Sequence, residues 1–312
     1  MANDKSPGSV DAGKLPKVGG VKEKASGSRL EFALPNIADP PLLSDSNRII
    51  ETDKQLRLDL EGTNFSNRLF LRLVAKQRHF KNVDFKYSIF DTCYLRNCNF
   101  DSCDFTGCRF VATQLPSSFF IGCKFDYATF ERTTISVDIL GTGCPGTENL
   151  TAKFARTLRI NFQQLGDAEA VNRAISLELS ATKRHLEKAW LSGESYYRKK
   201  YQGLKRAQMF AKWLWFKIQD VIWGNGESIF KLAMSVAFVV LLLSPIDIWS
   251  DPEKKFSSIL SIGQAISESF QVFLGVAIPT FYPKACAAGI ALLRFIAFGL
   301  LVSIIVKRRN RR

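Results

Sequence analysis

The sequence predicts a mixed architecture: a quadrilateral β-helix, an α-helical stalk, and a membrane module of two transmembrane helices with a re-entrant helix between them. Three observations lead there. Large apolar residues recur every five positions from Phe80 to Ile135. A basic stretch rich in aromatic residues follows over 198–223. Two long apolar stretches, Ile229–Trp249 and Ala285–Val306, lie near the end of the chain.

Residues 1–48 combine Lys, Gly, Ser, Asp and Pro without an apolar run, which predicts a disordered, mildly basic tail. No secretory signal opens the chain, so this end is expected in the cytoplasm, where thiols stay free.

Residues 49–149 carry the repeat. Phe80, Phe85, Phe90, Leu95, Phe100, Phe105, Phe110, Leu115, Phe120, Phe125, Phe130 and Ile135 are five apart. Two positions before them, from Phe85 on, stand Val83, Ser88, Cys93, Cys98, Cys103, Cys108, Thr113, Ser118, Cys123, Ala128 and Thr133, all small or β-branched. A period of five fits neither a helix nor an ordinary strand; a short fixed period marks a solenoid. Four five-residue sides make one square coil, with the large residue on the axis and the small one beside it. Leu58-Asp59-Leu60 and Thr63-Asn64-Phe65 suggest a degenerate first coil, and residues 66–79 blur the register. The triplets Val83-Asp84-Phe85, Cys98-Asn99-Phe100 and Cys103-Asp104-Phe105 resemble the pentapeptide-repeat family, which implies a right-handed β-helix.

The seven cysteines are Cys93, Cys98, Cys103, Cys108, Cys123, Cys144 and Cys286. The first five fall on the repeat grid, which makes them inward-facing small residues; a spacing of four intervening residues leaves a metal or disulfide reading behind it. His79 and His185 are far apart, which argues against His-based catalysis or a His-rich metal site. No phosphate loop, nucleophile elbow or metal motif appears, so the chain reads as a non-enzyme without a cofactor.

Residues 150–224 predict a helical connector with a break at Gly166, ending in a basic juxtamembrane helix. Arg198, Lys199, Lys200, Lys205, Arg206, Lys212 and Lys217 have no acidic residue among them, and Tyr201, Trp213, Trp215, Phe216 and Trp223 are interleaved. Such a segment could clamp single-stranded nucleic acid or lie on anionic lipid. The apolar sequence just downstream favours lipid, with Lys199, Lys200, Lys205, Arg206, Lys212 and Lys217 facing it.

Residues 225–312 predict the membrane module. Trp223 and Trp249 bracket the first span, and Arg294 alone interrupts the second. Basic residues precede the first span and follow the second (Lys307, Arg308, Arg309, Arg311, Arg312), whereas the loop holds Lys254, Lys255 and Lys284 against Asp251, Glu253 and Glu268. Both termini are therefore expected in the cytoplasm, in a bacterium beneath the inner membrane. The formal charge of +14, from 43 basic and 29 acidic residues, is explained by this topology, which makes nucleic acid an unfavoured partner. Ile259–Ile278 mixes apolar residues with Gln264, Ser267, Glu268 and Gln271, as suits a re-entrant helix buried in protein.

This order of parts resembles a bacterial combination of pentapeptide repeats, a Gly-Asp helical connector (here Leu165-Gly166-Asp167) and a two-span channel domain of the potassium-channel type. The resemblance implies a homo-oligomeric pore with the β-helix as a regulatory module able to bind a protein. Glu268, Gln271, Gly275 and Arg294 are the pore candidates; for Arg294 a ring of positive charge and an ion pair with Glu268 both stand. Phe273–Pro279 has a single glycine and no Gly-Tyr-Gly, so potassium selectivity is not implied. A non-conducting membrane-anchored scaffold is the rival reading. A DNA-mimicking role is disfavoured, because residues 80–140 hold six basic (Lys81, Lys86, Arg96, Arg109, Lys124, Arg132) and seven acidic (Asp84, Asp91, Asp101, Asp104, Asp126, Glu131, Asp138) side chains.

Overall fold

A computed structural model describes residues 48–250, 259–277 and 284–309. The expected tail, the loop acids and lysines at 251–255, Pro279, Pro283, Arg311 and Arg312 lie outside the described residues, as does the side chain of Trp249.

Short parallel strands stack into a solenoid of about four turns. One side is a five-stranded sheet of Ile49–Thr52, Arg68–Leu71, Ile89–Asp91, Arg109–Val111 and Thr129–Glu131. The next holds Gln55–Leu56, Val74–Lys76 and Tyr94–Arg96, continued by single bridges at Gln114 and Thr134. The third holds Leu60–Glu61, His79–Lys81, Asn99–Asp101 and Phe119–Ile121. Single bridges Asn64–Asp84–Asp104–Lys124 make the fourth. From Phe80 onward, residue i pairs with i+20, as Phe80 with Phe100 and Phe90 with Phe110.

The axis is filled by side-chain ladders. Phe80–Phe100–Phe120, Phe85–Phe105–Phe125 and Phe70–Phe90–Phe110–Phe130 stack coil on coil at 4.8–5.1 Å. Ala75, Leu95, Leu115 and Ile135 form the aliphatic ladder. The strand spacing sets this repeat, so each ring meets its copy at a favourable stacking distance. The small residues solve a polar problem beside the axis. Ser88, Thr113 and Ser118 donate to the carbonyls of Phe65, Phe90 and Leu95 in the preceding coil at 2.7–2.9 Å. The thiols of Cys93, Cys103 and Cys123 reach those of Phe70, Phe80 and Phe100 at 3.3 Å. Burial pushes the Cys93 thiol up to about 11, so it stays protonated and unreactive at neutral pH.

The turns repeat too. Every fifth residue from Gly62 to Arg132 has a left-handed backbone, φ 46–68°. Most of these corners are not glycine: Asn67, Tyr87, Thr92, Ala112 and Arg132 are examples. The inter-coil hydrogen bonds on either side hold them there, as Tyr87 N to Thr106 O at 2.9 Å. Gly107 is a corner with a steric reason, since a Cβ would lie 2.6 Å from the Tyr87 ring of the coil before.

The blur over 66–79 is one of composition. Phe70 and Ala75 stay buried on the grid, and Asn67, Arg72 and Gln77 turn their corners. Arg68 and Arg78 occupy small-residue positions, while Leu73 and Ala75 exchange the large and small roles. The first coil is one residue short: Gln55 pairs with Val74 nineteen residues on, but Leu60 with Phe80 twenty on.

Among the described residues eight helices follow: α1 (Ile139–Thr142), α2 (Glu148–Leu165), α3 (Ala168–Leu191), α4 (Ser195–Lys200), α5 (Leu204–Trp223), α6 (Ile229–Ser250), α7 (Ile259–Leu274) and α8 (Lys284–Arg309). Gly166 ends α2 in a left-handed cap, and Asp167 starts α3 by accepting from Ala170 N at 2.9 Å. α2 closes the solenoid by imitating another coil. Asn161, fully buried, accepts from Thr133 N at 2.7 Å and donates to Thr133 O at 2.8 Å. Thr157 Oγ1 and Gln164 Oε1 accept from Phe130 N and Arg132 N. Phe154 joins the phenylalanine stack behind Phe125 and Phe130.

Candidate functional site in the C-terminal helices

Among the described residues, one helix is long and apolar enough to cross a membrane, α8. The described side chains of α6 give a shorter apolar stretch, Ile229–Pro245. On α8, Leu292, Phe295, Phe298 and Val302 are exposed apolar side chains.

α7 differs in kind. Its inner face, Ala265, Ser269, Val272 and Phe273, is buried, with Val272 and Phe273 packed among Val240 and Ile290. A second face presents Gln264, Ser267, Gln271 and Leu274, spaced as one side of a helix and all exposed. Glu268 is half-buried beside them. An open cavity of about 900 Å³ lies between the three helices, lined by Val236, Val240, Ser267, Phe273, Arg294 and Phe298 among others.

Gly275 and Arg294 form one device. The half-buried Arg294 donates from Nε to Phe273 O at 2.6 Å and from Nη2 to Val272 O at 3.0 Å. It therefore caps α7, whose last carbonyls have no partners in their own helix and carry the negative end of the dipole. The chain turns at Gly275 with φ 82°, and a Cβ there would lie 2.2 Å from Arg294 Nη1. The sequence left a charge ring or an ion pair open for Arg294; among the described residues its hydrogen bonds go to two carbonyls. The only forewarning was that each residue is conspicuous alone, a lone arginine in an apolar run and a lone glycine after α7.

A second device ties the helix ends together. Glu227, in the turn between α5 and α6, meets Lys307 Nζ at 3.0 Å, and its carbonyl accepts from Arg308 Nη2 at 3.0 Å. Ile175 and Leu179 of α3 line the clefts beside this junction with Glu227. The basic end of α8 is thus joined to the start of α6 next to the stalk. A pairing across eighty residues has no local sequence signal.

The basic segment separates into parts. Lys200 on α4 donates to Tyr196 Oη at 2.8 Å and sits over the Tyr196 and Tyr201 rings; Lys199 is exposed. On α5, Lys205 and Lys212 are exposed, Arg206 donates to Trp190 O, and Lys217 lies over the Trp213 ring. His185 of α3 lies 3.4 Å from the hydroxyls of both Tyr197 on α4 and Tyr201 just after it. Burial, then the nearby Lys200, lowers its pKa.

Residues 79–115 match the profile described as pentapeptide repeats, in 8 copies. A pentapeptide-repeat domain is present. The solved structures similar to the chain include the pentapeptide repeat protein Rfr23 of the cyanobacterium Cyanothece 51142, at 15% identity over 27% of this chain and 64% of that one, with a TM-score of 0.20. A trypsin-treated form of QnrB1, a plasmid-mediated fluoroquinolone resistance protein, is 12% identical over 28% of this chain and 73% of that one, at 0.13. A pentapeptide repeat protein of the Arabidopsis thaliana thylakoid lumen is 17% identical over 29% and 78%, at 0.12. This chain thus spans just under two thirds of the cyanobacterial protein's length. The residues matched by this profile lie in the solenoid, upstream of α2. No curated protein matches the sequence.

Proposed function

We propose that the chain forms an oligomeric membrane pore whose pentapeptide-repeat domain is a cytoplasmic regulatory module. The observation that carries this reading is the exposed polar side of α7. Gln264, Ser267 and Gln271 line one face of a helix packed against two apolar neighbours. At membrane depth such groups are costly against lipid and are at home against water or a second protein surface. One copy has too few helices to enclose a water-filled path, so closure comes from rotational symmetry. α6 and α8 are then both spans, with both chain ends in the cytoplasm. Gln271 and Gly275 border the lumen with Glu268 close by, while Arg294 holds the end of α7. Gly275 stands alone, without a Gly-Tyr-Gly stretch, so potassium selectivity is not carried over to this pore.

A non-conducting scaffold is favoured by a different observation. Phe119 and Ile121 are exposed on the pentapeptide-repeat domain, beside a groove of about 430 Å³ that also involves His79, Asn99 and Ile139. Planar-bilayer recording of the purified full-length protein separates the two. The pore reading expects unitary conductance that Q271L reduces. Silent bilayers containing correctly oligomerised protein would favour the scaffold.

A further inference from the structure

α5 has two unlike sides. Met209 is buried, and Trp213 packs on Trp190 of α3 with ring centres 5.1 Å apart. The other side is apolar and uncovered: Leu204, Leu214, Trp215, Ile218, Val221 and Ile222 are all exposed. At about 100° per residue these six fall within one stripe. Cations border it, Lys205 and Lys212 along one edge, Arg206 and Lys217 along the other. The helix's one acid, Asp220, is paired with Lys231 at 2.7 Å. The stripe is also placed by its neighbours. Glu227, four residues beyond Trp223, binds the basic end of α8, so α5 departs from the level at which α8 would leave a bilayer.

We propose that α5 lies in the interface of an anionic lipid leaflet, with Leu214, Trp215 and Ile218 among the acyl chains and Lys205 and Lys212 on the phosphates. An apolar stripe bordered by cations is the pattern of an in-plane helix, and long basic side chains reach headgroups while their stems stay in contact with the chains below. The charge edges select this occupant, since a second copy would bring the same cations against them. The inference rests on the placement of α8 in a bilayer and is independent of conduction.

The test is quenching of tryptophan emission by brominated lipid, with the full-length protein in phosphatidylcholine vesicles with or without phosphatidylglycerol. The Trp215 component is the difference between the wild type and W215F; F298W reports α8. Trp215 should be quenched in the anionic vesicles and released by high salt. The double substitution K205Q/K212Q should lower the ratio of lipid-bound to free α5 about 25-fold, roughly fivefold for each cation lost near an anionic surface. Equal quenching with and without phosphatidylglycerol overturns the proposal, as does an unquenched Trp215 beside a quenched F298W. If F298W is also unquenched, the placement of α8 fails and the proposal with it. Cross-linking of L214C between copies, without quenching, assigns the stripe to a second copy and overturns it too.

Discussion

Adding one methyl group at Gly275 should dislodge Arg294. The alanine Cβ of G275A would lie 2.2 Å from Nη1 and 2.7 Å from Cζ, so the guanidinium must withdraw. Two costs follow. A left-handed backbone costs a residue with a Cβ about 1–2 kcal/mol. Loss of the bonds to Phe273 O and Val272 O costs about 1.5–3 kcal/mol each for a charged donor. Their sum is about 4–8 kcal/mol, and we expect the lower end, because Arg294 is half-exposed and can turn toward water. R294Q removes the same bonds without the backbone strain. In the R294Q background, G275A should therefore cost only about 1–2 kcal/mol, leaving a coupling of about 2–4 kcal/mol in the double-mutant cycle. Detergent-denaturation titrations of the four full-length proteins, followed by tryptophan emission, measure each corner of that cycle. Additivity to within about 0.5 kcal/mol would refute the cap.

F100D places a charge in the middle of a phenylalanine ladder and should abolish the folded pentapeptide-repeat domain; native-like strand content by circular dichroism would contradict the axial register. N161A leaves the Thr133 N–H and C=O buried without partners and should cost about 2–5 kcal/mol, read as a lower melting temperature with faster hydrogen exchange in the last coil first. The His185 pKa is lowered from 6.5 in the folded protein, so the unfolded state takes up its proton first as pH falls. Stability should accordingly decline below pH 6.5 until the folded pKa is passed, and H185F should remove that part of the slope in melting temperatures measured against pH.

The axial ladders were legible because burial imposes a chemical type at a fixed interval; Phe80 to Ile135 could not alternate with polar residues and still fill the coil. The corners were not, because backbone geometry leaves little trace in residue type. Tyr87, Thr92 and Arg132 take a conformation usual for glycine because neighbouring coils hold their amides. The same tolerance hid the coil at 66–79, where Leu73 and Ala75 divide the space differently within an unchanged register. The helical connector was readable at Gly166 and Asp167, whose conformational roles are local. Asn161, Gly275 with Arg294, and Glu227 with Lys307 were not, since each acts on a partner distant in sequence. In the C-terminal helices composition disclosed apolar length and the polar residues of α7, but which face those residues occupy depends on the packing of α6 and α8.

The rungs of the solenoid also make it a graduated spacer. Four five-residue sides return the chain to the same face one rung further on, and each rung advances the axis by about 4.8 Å. Inserting or deleting twenty residues in the middle changes the length by one such step and leaves the α2 closure untouched. A shift of five keeps large side chains inward but rotates everything beyond it by a quarter turn. Length and azimuth are thus separately adjustable in discrete units, so whatever docks on an outer face can be set at a chosen height and direction relative to the stalk.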